Sequence, residues 1–123
     1  MPVKVIDASA LAAVVFDEPD ADRVVQAIDA CRLVAPYLLE FELANVCARK
    51  ARAHRVRRGA LLGALALVDH LDLTRAEVVS SEVIELAIGT RLTTYDASYL
   101  WLARTLRCEL VTLDKRLSAA SHR

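Results

Sequence analysis

Three aspartates occupy similar places in the sequence. Asp7 follows Val-Lys-Val-Ile, Asp96 follows Leu-Thr-Thr-Tyr and Asp114 follows Leu-Val-Thr-Leu, and each precedes a segment of helical character. Any one of them could serve only as a helix N-cap, because Asp is favoured there. In a parallel sheet, however, helices begin at the carboxyl edge of the strands, where ligands bind. We therefore expect Asp7 and Asp114 to converge on one edge, and Asp96 can join them.

Clustered carboxylates of this kind indicate a metal site. Two or three ionised groups within a few ångströms repel one another, and each raises the pKa of its neighbours. A divalent cation relieves that repulsion. Because the candidate ligands are all oxygen atoms, the site suits Mg²⁺ or Mn²⁺ better than zinc.

A fourth acid lies in the apolar segment from Leu38 to Val46, which is interrupted only by Glu40, Glu42 and Asn45. Glu42 and Asn45 are three residues apart and therefore share one face of a helix. A polar pair inside an apolar stretch needs either solvent or a polar partner. Periodicity alone leaves both interpretations open: a site residue, or the edge of a helix that faces water.

The elements that must position these residues alternate between strands and helices. The pattern predicts strands over 3–6, 33–35 and 109–112 and leaves 71–73 undecided between strand and connection. It predicts helices over 8–16, 22–31, 37–53, 58–70, 82–92 and 97–107 and a short one after Asp114. Such alternation is typical of a three-layer α/β/α sandwich with a mainly parallel central sheet, here as one domain over residues 1–123.

Composition excludes several classes of protein. The 123 residues carry 16 basic and 16 acidic side chains, so the chain is not a protein that coats nucleic acid through bulk charge. No apolar run is long enough for a membrane span, and the N-terminus has no secretory signal pattern. The three cysteines are an odd number at wide spacings, which favours buried thiols in a reduced cytoplasm over a disulfide framework.

Four motifs, in order, resemble those of PIN domains. They are Val5-Ile6-Asp7-Ala8-Ser9, Glu42-x-x-Asn45, Tyr95-Asp96-Ala97-x-Tyr99 and Thr112-x-Asp114. The resemblance covers essentially the whole chain and is strongest to VapC-type toxins of bacterial toxin–antitoxin pairs. Each motif alone is weak, but four in the right order and spacing are specific.

The resemblance implies a metal-dependent endoribonuclease that hydrolyses RNA phosphodiester bonds. It implies an acidic site of Asp7, Glu42, Asp96 and Asp114, with Asp7 and Asp96 as the main ligands of Mg²⁺ or Mn²⁺. Thr112 and Ser9 would be supporting hydroxyls, and Asn45 would orient its neighbours. Only the spacing to Asn45 favours Glu42 over Glu40.

A basic stretch follows the fourth acid. No acid occurs between Glu42 and Asp69, and the candidate RNA-binding residues in that interval are Arg49, Lys50, Arg52 and Arg55. They could hold RNA phosphates beside the acidic site. They could instead form a solvated helix end, where basic residues complement the helix dipole. A cognate antitoxin, which the resemblance also implies, could bind the same patch.

Two other functions compete with the nuclease. A receiver-type phosphoacceptor domain would need a lysine at the end of a strand, and none of Lys4, Lys50 and Lys115 ends one. A catalytically silent PIN scaffold is the other alternative, against which four intact acids argue. We also expect a homodimer, because the alanine-rich segment 61–68 could expose more apolar surface than one core hides.

Overall fold

The computed structural model describes all residues, 1–123, and has a four-stranded parallel sheet at its centre. The strands lie in the order β3-β2-β1-β4, so that β1 is central and β4 is an edge. In the register, Val5 of β1 pairs with Val34 of β2 on one side and with Leu110 of β4 on the other. The strands are β1 (Val3–Ile6), β2 (Arg32–Pro36), β3 (Leu73–Ala76) and β4 (Glu109–Val111).

Helices cover both faces of the sheet. Val5 and Ile6 point to opposite faces because side chains alternate along a strand, and both are 0% exposed. Burial on both faces is characteristic of parallel sheets with helical crossovers. The helices are α1 (Ala8–Val15), α2 (Ala21–Ile28), α3 (Leu38–Ala53), α4 (Arg58–Leu65), α5 (Ser80–Thr90), α6 (Thr94–Leu106) and α7 (Lys115–Ser121).

Two groups of helices make the outer layers. In one group α1 packs against α2 and α3, and α3 continues into contact with α4. In the other, α6 packs against α5, α7 and strands β1, β2 and β4. The predicted α/β/α sandwich with a parallel sheet is confirmed. None of the helices has the length and apolar character that crossing a membrane requires.

Two predicted boundaries differ from the structure. Helix α3 was predicted from residue 37 and starts one residue later, at Leu38, and Pro36 is the last residue of β2. The predicted helix over 58–70 breaks into α4 and a 3-10 turn, Ala66–His70. Within it, Leu61 and Val68 are buried in the core, and only Leu62 and Leu67 of its larger apolar residues are more than half exposed. The apolar surface expected there is therefore smaller than the sequence suggested.

The third strand extends well beyond the segment left undecided. It covers Leu73–Ala76 and pairs with β2 at the edge of the sheet. Its sequence, Leu-Thr-Arg-Ala, has one buried residue and lacks a continuous apolar run, as half-covered edge strands do. Hydrophobic periodicity could not detect it for that reason.

The topology brings the carboxyl ends of β1 and β4 side by side. Asp7 directly follows β1, and the segment 112–114 directly follows β4, so these residues meet at one edge of the sheet. The amide of Asp7 donates to the carbonyl of Val111 at 3.2 Å, which extends the pairing to that edge. The expected convergence of the first and last acidic motifs follows from this register.

Candidate functional site

Asp7 lies at the floor of the site and is only 5% exposed. It is the N-cap of α1, and its Oδ1 accepts the amide of Ala10 at 3.0 Å. The same oxygen accepts the Ser9 hydroxyl at 2.7 Å, and Oδ2 accepts the Thr112 hydroxyl at 2.5 Å. Three donors therefore fix both oxygens of this buried carboxylate, and one of its roughly four lone-pair sites stays open.

The two hydroxyls also bind the segment after β4. Ser9 Oγ accepts the amide of Leu113 at 3.0 Å, and Thr112 Oγ1 accepts the amide of Asp114 at 3.0 Å. Each hydroxyl thus accepts a backbone N–H and donates to Asp7. This network joins the ends of β1 and β4 and accounts for the presence of Ser and Thr at these two positions.

Glu42 approaches the site from α3. It is half-buried, and its Oε1 accepts the phenol of Tyr99 on α6 at 2.6 Å. Asn45, one turn further along α3, is exposed and makes no hydrogen bond to the neighbouring acids. The orienting role that the resemblance implied for Asn45 therefore has no contact to support it. Glu40 pairs with Arg75 at 2.6 Å, away from the other acids, which favours Glu42 as the site residue.

Asp96 and Asp114 occupy helix starts, although in different ways. Asp114 is the N-cap of α7, and its Oδ1 accepts the amide of Leu117 at 3.0 Å. Asp96, expected to precede its helix, lies inside the first turn of α6, because Thr93 is the N-cap and accepts the Asp96 amide at 3.1 Å. Asp96 is therefore not a cap. Its carboxylate remains available to other partners.

The pKa values of three acids show that the groups are coupled. Burial raises the pKa of Asp7 above its ordinary value, against the hydrogen bonds from Thr112, Ala10 and Ser9, and the charge of Asp96 raises it further. Burial also raises the pKa of Glu42, with smaller contributions from Asp96 and Asp7. The direction agrees with the sequence analysis. The main cause differs, because burial outweighs the mutual repulsion that we expected to dominate.

Asp96 is electrostatically coupled to the other three acids. Burial raises the pKa of its carboxyl first, and the negative charge of Asp114 raises it further, while the Arg116 guanidinium and a hydrogen bond from Thr93 oppose both effects. Asp96 therefore contributes to the pKa shifts of both Asp7 and Glu42 and is itself shifted by Asp114. We refer to Asp7, Glu42, Asp96 and Asp114 together as the acidic site.

The donor chemistry of the acidic site fits a divalent cation. Its ligand atoms are carboxylate oxygens, which suit Mg²⁺ or Mn²⁺, and their raised pKa values show that unrelieved negative charge is disfavoured there. As they stand, no three acidic, His or Cys side chains are grouped closely enough to enclose an ion. The spacing is thus wider than the few ångströms expected from the sequence, and the fit rests on donor type and electrostatic coupling.

A cleft of about 650 Å³ opens beside the acidic site. Ser9, Glu42 and Asn45 line its acidic end, and Arg49 and Lys50 line its basic end. Lys50 is partly engaged, since its Nζ lies 3.7 Å from the Glu18 carboxylate and 5.8 Å from the centroid of the Phe16 ring.

Only part of the basic stretch reaches this cleft. The α3 residues that line the cleft recur every three or four positions, and Arg49 lies on that face without an ion pair of its own. Arg52 lies in the last turn of α3 and Arg55 lies in the 3-10 turn after it; both are exposed and neither lines the cleft. The structure therefore separates Arg49 and Lys50 from the other two candidates.

Two residues near the acidic site were not assigned a role from the sequence. Tyr99 is the one hydrogen-bond partner of Glu42, and the Arg116 guanidinium is the positive charge that lowers the pKa of Asp96. Tyr99 belongs to a motif noted in the sequence, three residues after Asp96, but its partner lies 57 residues away and no spacing rule connects them.

Cys47 is buried as expected, whereas Cys31 and Cys108 are partly exposed.

Comparisons with known proteins agree with this geometry. The PIN domain family matches residues 4–122. The chain is 41% identical over 116 residues to VapC ribonuclease Mb0985 of Mycobacterium bovis and to ribonuclease VapC9 of Mycobacterium tuberculosis, covering 93% of this chain and 87% of each relative.

Two solved structures share the fold. PAE2754 from Pyrobaculum aerophilum superposes with a TM-score of 0.80 at 30% identity, covering 98% of this chain and 85% of that one. VapC20 of Mycobacterium tuberculosis, described as a sarcin-ricin loop cleaving toxin, gives a TM-score of 0.66 at 19% identity over 95% of this chain and 94% of that one, a likeness of fold alone. The receiver alternative is not supported, and the chain belongs to the PIN-domain family, among relatives of the VapC type.

Proposed function

We propose that this protein is a metal-dependent endoribonuclease and the toxin of a bacterial toxin–antitoxin pair, acting through one catalytic domain over residues 1–123. The observation that carries the proposal is the electrostatic coupling of four acids from separate parts of the chain, beside a cleft that bears Arg49. The names of the 41% identical relatives, which are ribonucleases, support the same reaction.

The acidic site holds the cation in this proposal. Asp7 and Asp96 would be its main ligands, and Glu42 and Asp114 would complete the shell directly or through water. When bound, a divalent cation supplies Lewis-acid activation of water and neutralises charge on the phosphodiester. Magnesium and manganese both suit these oxygen ligands, and we propose one of the two as the cofactor.

The protein's own residues keep this site in place before RNA arrives. Ser9 and Thr112 hold the carboxylate of Asp7 in one orientation through the contacts described above. Such preorganisation avoids the cost of arranging the carboxylate during the reaction. Hydrolysis needs no covalent nucleophile: the hydroxyl of water bonds to phosphorus as the P–O bond to the leaving oxygen breaks, and the remaining proton of the water goes to that oxygen.

RNA lies along the cleft in this proposal, with a phosphate near Arg49. Arg49 lies seven positions after Glu42 on α3, which corresponds to roughly 10 Å along the helix axis. This distance allows Arg49 to bind a phosphate neighbouring the scissile one. Lys50 contributes when it leaves Glu18. Arg52 and Arg55 contact more distant phosphates, or a protein partner.

The contribution of Arg49 can be measured directly. Arg49→Gln should raise KM for RNA and reduce the salt dependence of binding by about one unit in the log–log slope, since one phosphate contact is lost. Arg104→Gln, at an exposed position outside this cleft, is the matched control. Equal KM values for the two variants would remove Arg49 from the RNA-binding surface.

We further propose a homodimer. The face that favours it is the outer surface of α5, where Ile84 is 49% exposed and Ile88, one turn further on, is 72% exposed. Phe41 on α3 is also 77% exposed. Exposed apolar side chains at this density usually mark an interface. Ile88→Asp should yield a monomer in light scattering, while Val25→Asp, on the exposed side of α2, should not.

A cognate antitoxin is the second protein partner. Arg52 and Arg55 are exposed basic residues, and Leu62 on α4 and Leu67 in the 3-10 turn after it are exposed apolar residues; an acidic, amphipathic segment would match these side chains. We place the protein in the cytoplasm, where its three free cysteines would remain reduced. Co-expression with the upstream reading frame should suppress toxicity and yield a stable complex.

The catalytically silent alternative makes the opposite prediction about RNA. Incubation of the protein with a panel of structured RNAs should give endonucleolytic products with Mg²⁺ or Mn²⁺ and none with chelator. Asp96→Asn should eliminate cleavage while the folded structure persists. A wild-type protein that binds RNA but leaves the whole panel intact with either ion would support the silent scaffold and contradict the proposed reaction.

A further inference from the structure

Tyr99 is buried in the core next to the acidic site. It lies on α6 with only 1% of its surface exposed, among the core residues of the chain. Its hydroxyl reaches across to α3 and donates to Glu42 Oε1 at 2.6 Å. A buried phenol needs a hydrogen-bond acceptor. The acceptor of Tyr99 is Glu42, one of the four carboxylates of the acidic site.

We propose that Tyr99 is a positioning residue, which holds Glu42 in the rotamer that faces Asp7 and thereby sets the affinity of the acidic site for its divalent cation. This inference rests on the proposed function, because it assumes that Glu42 belongs to a metal site. It adds a residue outside the acid set, and it assigns that residue an effect on ion binding.

The Glu42 side chain would be mobile without a hydrogen-bond partner. A glutamate has three rotatable side-chain bonds, and Glu42 is half-exposed on a helix surface, so without a contact it would sample several rotamers. Asp7 is held by three donors, whereas Tyr99 is the single donor to Glu42. The orientation of Glu42 therefore depends on one hydrogen bond.

The Tyr99 hydroxyl, in contrast, has a fixed position. Because its ring is packed in the core, the hydroxyl cannot follow Glu42 to another position. The bond occupies one lone pair of Oε1 and leaves Oε2 free for an ion or a bound water. Hydrogen bonds to metal-binding carboxylates orient them, and losing such a partner typically weakens metal affinity or activity by about 10–100-fold.

The test compares two tyrosines on the same helix. Tyr99→Phe removes the hydroxyl and keeps the ring in the core. Tyr95→Phe removes the hydroxyl of a residue that is 60% exposed and has no contact with Glu42. Mn²⁺ affinity is measured by calorimetry, and kcat and KM for RNA are measured at several Mn²⁺ concentrations.

We expect Tyr99→Phe to bind Mn²⁺ about tenfold more weakly, with a lower kcat at limiting Mn²⁺ and an unchanged KM for RNA. Tyr95→Phe should match the wild type in all three quantities. A residue that only stabilised the core would lower the melting temperature and leave Mn²⁺ affinity unchanged. Equal Mn²⁺ affinities of Tyr99→Phe and wild type would overturn the inference.

Glu42→Asp provides a second route that leaves the buried ring intact. It keeps the charge but shortens the side chain by one methylene, which takes the carboxylate out of reach of the Tyr99 hydroxyl. We expect a similar loss of Mn²⁺ affinity, and no further loss when Tyr99→Phe is added, because the two changes break the same contact. Additive losses would overturn the inference.

The outcomes also separate this inference from the proposed function. If the wild type cleaves RNA with Mn²⁺ and Tyr99→Phe binds Mn²⁺ equally well, the nuclease stands and the role of Tyr99 falls. If the wild type neither binds Mn²⁺ nor cleaves RNA, both fall together.

Discussion

The two sides of the acidic site are built differently. Asp7, at the end of β1, is 5% exposed and receives three hydrogen bonds from Ser9, Ala10 and Thr112. Asp96 lies on a half-exposed helix turn, and the one side-chain hydrogen bond that acts on its carboxyl comes from Thr93. One acid is fixed by the sheet and its loops, and the other has fewer hydrogen bonds to hold its side chain in place.

This difference suggests a division of roles. A carboxylate held on a strand end keeps its position whether or not an ion is present, because moving it would break buried hydrogen bonds. A carboxylate on a helix surface can move toward an ion by changing rotamer at little cost. We infer that Asp7 fixes where the cation binds, and that Asp96 closes on it.

Lengthening each acid by one methylene should give the largest contrast. Asp7→Glu forces extra volume into a filled, buried position, which typically costs about 1–3 kcal/mol of the free energy of unfolding. It also displaces the carboxylate, so we expect cleavage to fall about a thousandfold, equivalent to several kcal/mol of lost ion stabilisation. Asp96→Glu can adjust its rotamer and should lose only about tenfold. Cleavage rates and thermal melts measure both effects.

Equal losses of activity in these two variants would break the comparison. In that case the two acids would be equally constrained, and the freedom inferred for Asp96 would be wrong. Asp22→Glu, an exposed acid in the first turn of α2, is a control for adding a methylene at a helix start.

Removing one hydroxyl from each side should give a smaller contrast, in stability. Thr112→Val takes the donor from Asp7 Oδ2 and the acceptor from the Asp114 amide, so we expect a loss of about 2 kcal/mol, or roughly 8 °C in Tm. Thr93→Val removes only the N-cap of α6, worth about 1 kcal/mol. Thr74→Val, at an exposed position of β3, should change little. Matching losses from Thr112→Val and Thr93→Val would contradict a tighter Asp7 side.

The smallest expected effect concerns Asp96 in the absence of metal. Burial and Asp114 raise its folded-state pKa, so the folded protein binds more protons than the unfolded chain. The stability that Asp96 contributes is therefore present below its unfolded pKa and is lost as pH rises through the folded pKa. Asp96→Asn does not titrate. In chelator its Tm should exceed that of the wild type by at most about 4 °C near neutral pH, since a half-exposed charge is screened.

The difference between Asp96→Asn and wild type should shrink as pH falls toward 4 and should narrow at neutral pH when Mg²⁺ is added. Asp22→Asn, at a matched position on α2 away from the acidic site, should show neither trend. A Tm of Asp96→Asn equal to or below wild type in chelator at neutral pH would mean that these acids are not coupled.

Much of the fold was predictable because its central strands are strongly apolar. Val3–Ile6 was predicted with its observed bounds, since its last two residues, Val5 and Ile6, are apolar and fully buried. The edge strand Leu73–Ala76 was largely missed, because its polar residues carry no periodic signal. Local periodicity could not separate Arg49 from Arg52, which lie three positions apart on α3, and it could not place Arg55 in the turn that follows.

The acids of the site came from motif order and from strand ends, whereas the contacts that organise them did not. Thr112 and Ser9 were expected only as supporting hydroxyls, and their shared binding of Asp7 and of the 112–114 backbone became evident in three dimensions. The bond from Tyr99 to Glu42 joins two helices that are distant in sequence. A hydrogen bond of that kind leaves no local pattern to read.

We infer that acids from both sides of the site bind one divalent cation. Calorimetric titration with Mn²⁺ tests this inference without any RNA. The wild type should bind Mn²⁺, and Asp7→Asn and Asp96→Asn should each weaken that binding at least about tenfold, while Asp22→Asn retains the wild-type affinity. If Asp96→Asn, correctly folded, bound Mn²⁺ as tightly as the wild type, the two sides would not share an ion and this account of the site would be wrong.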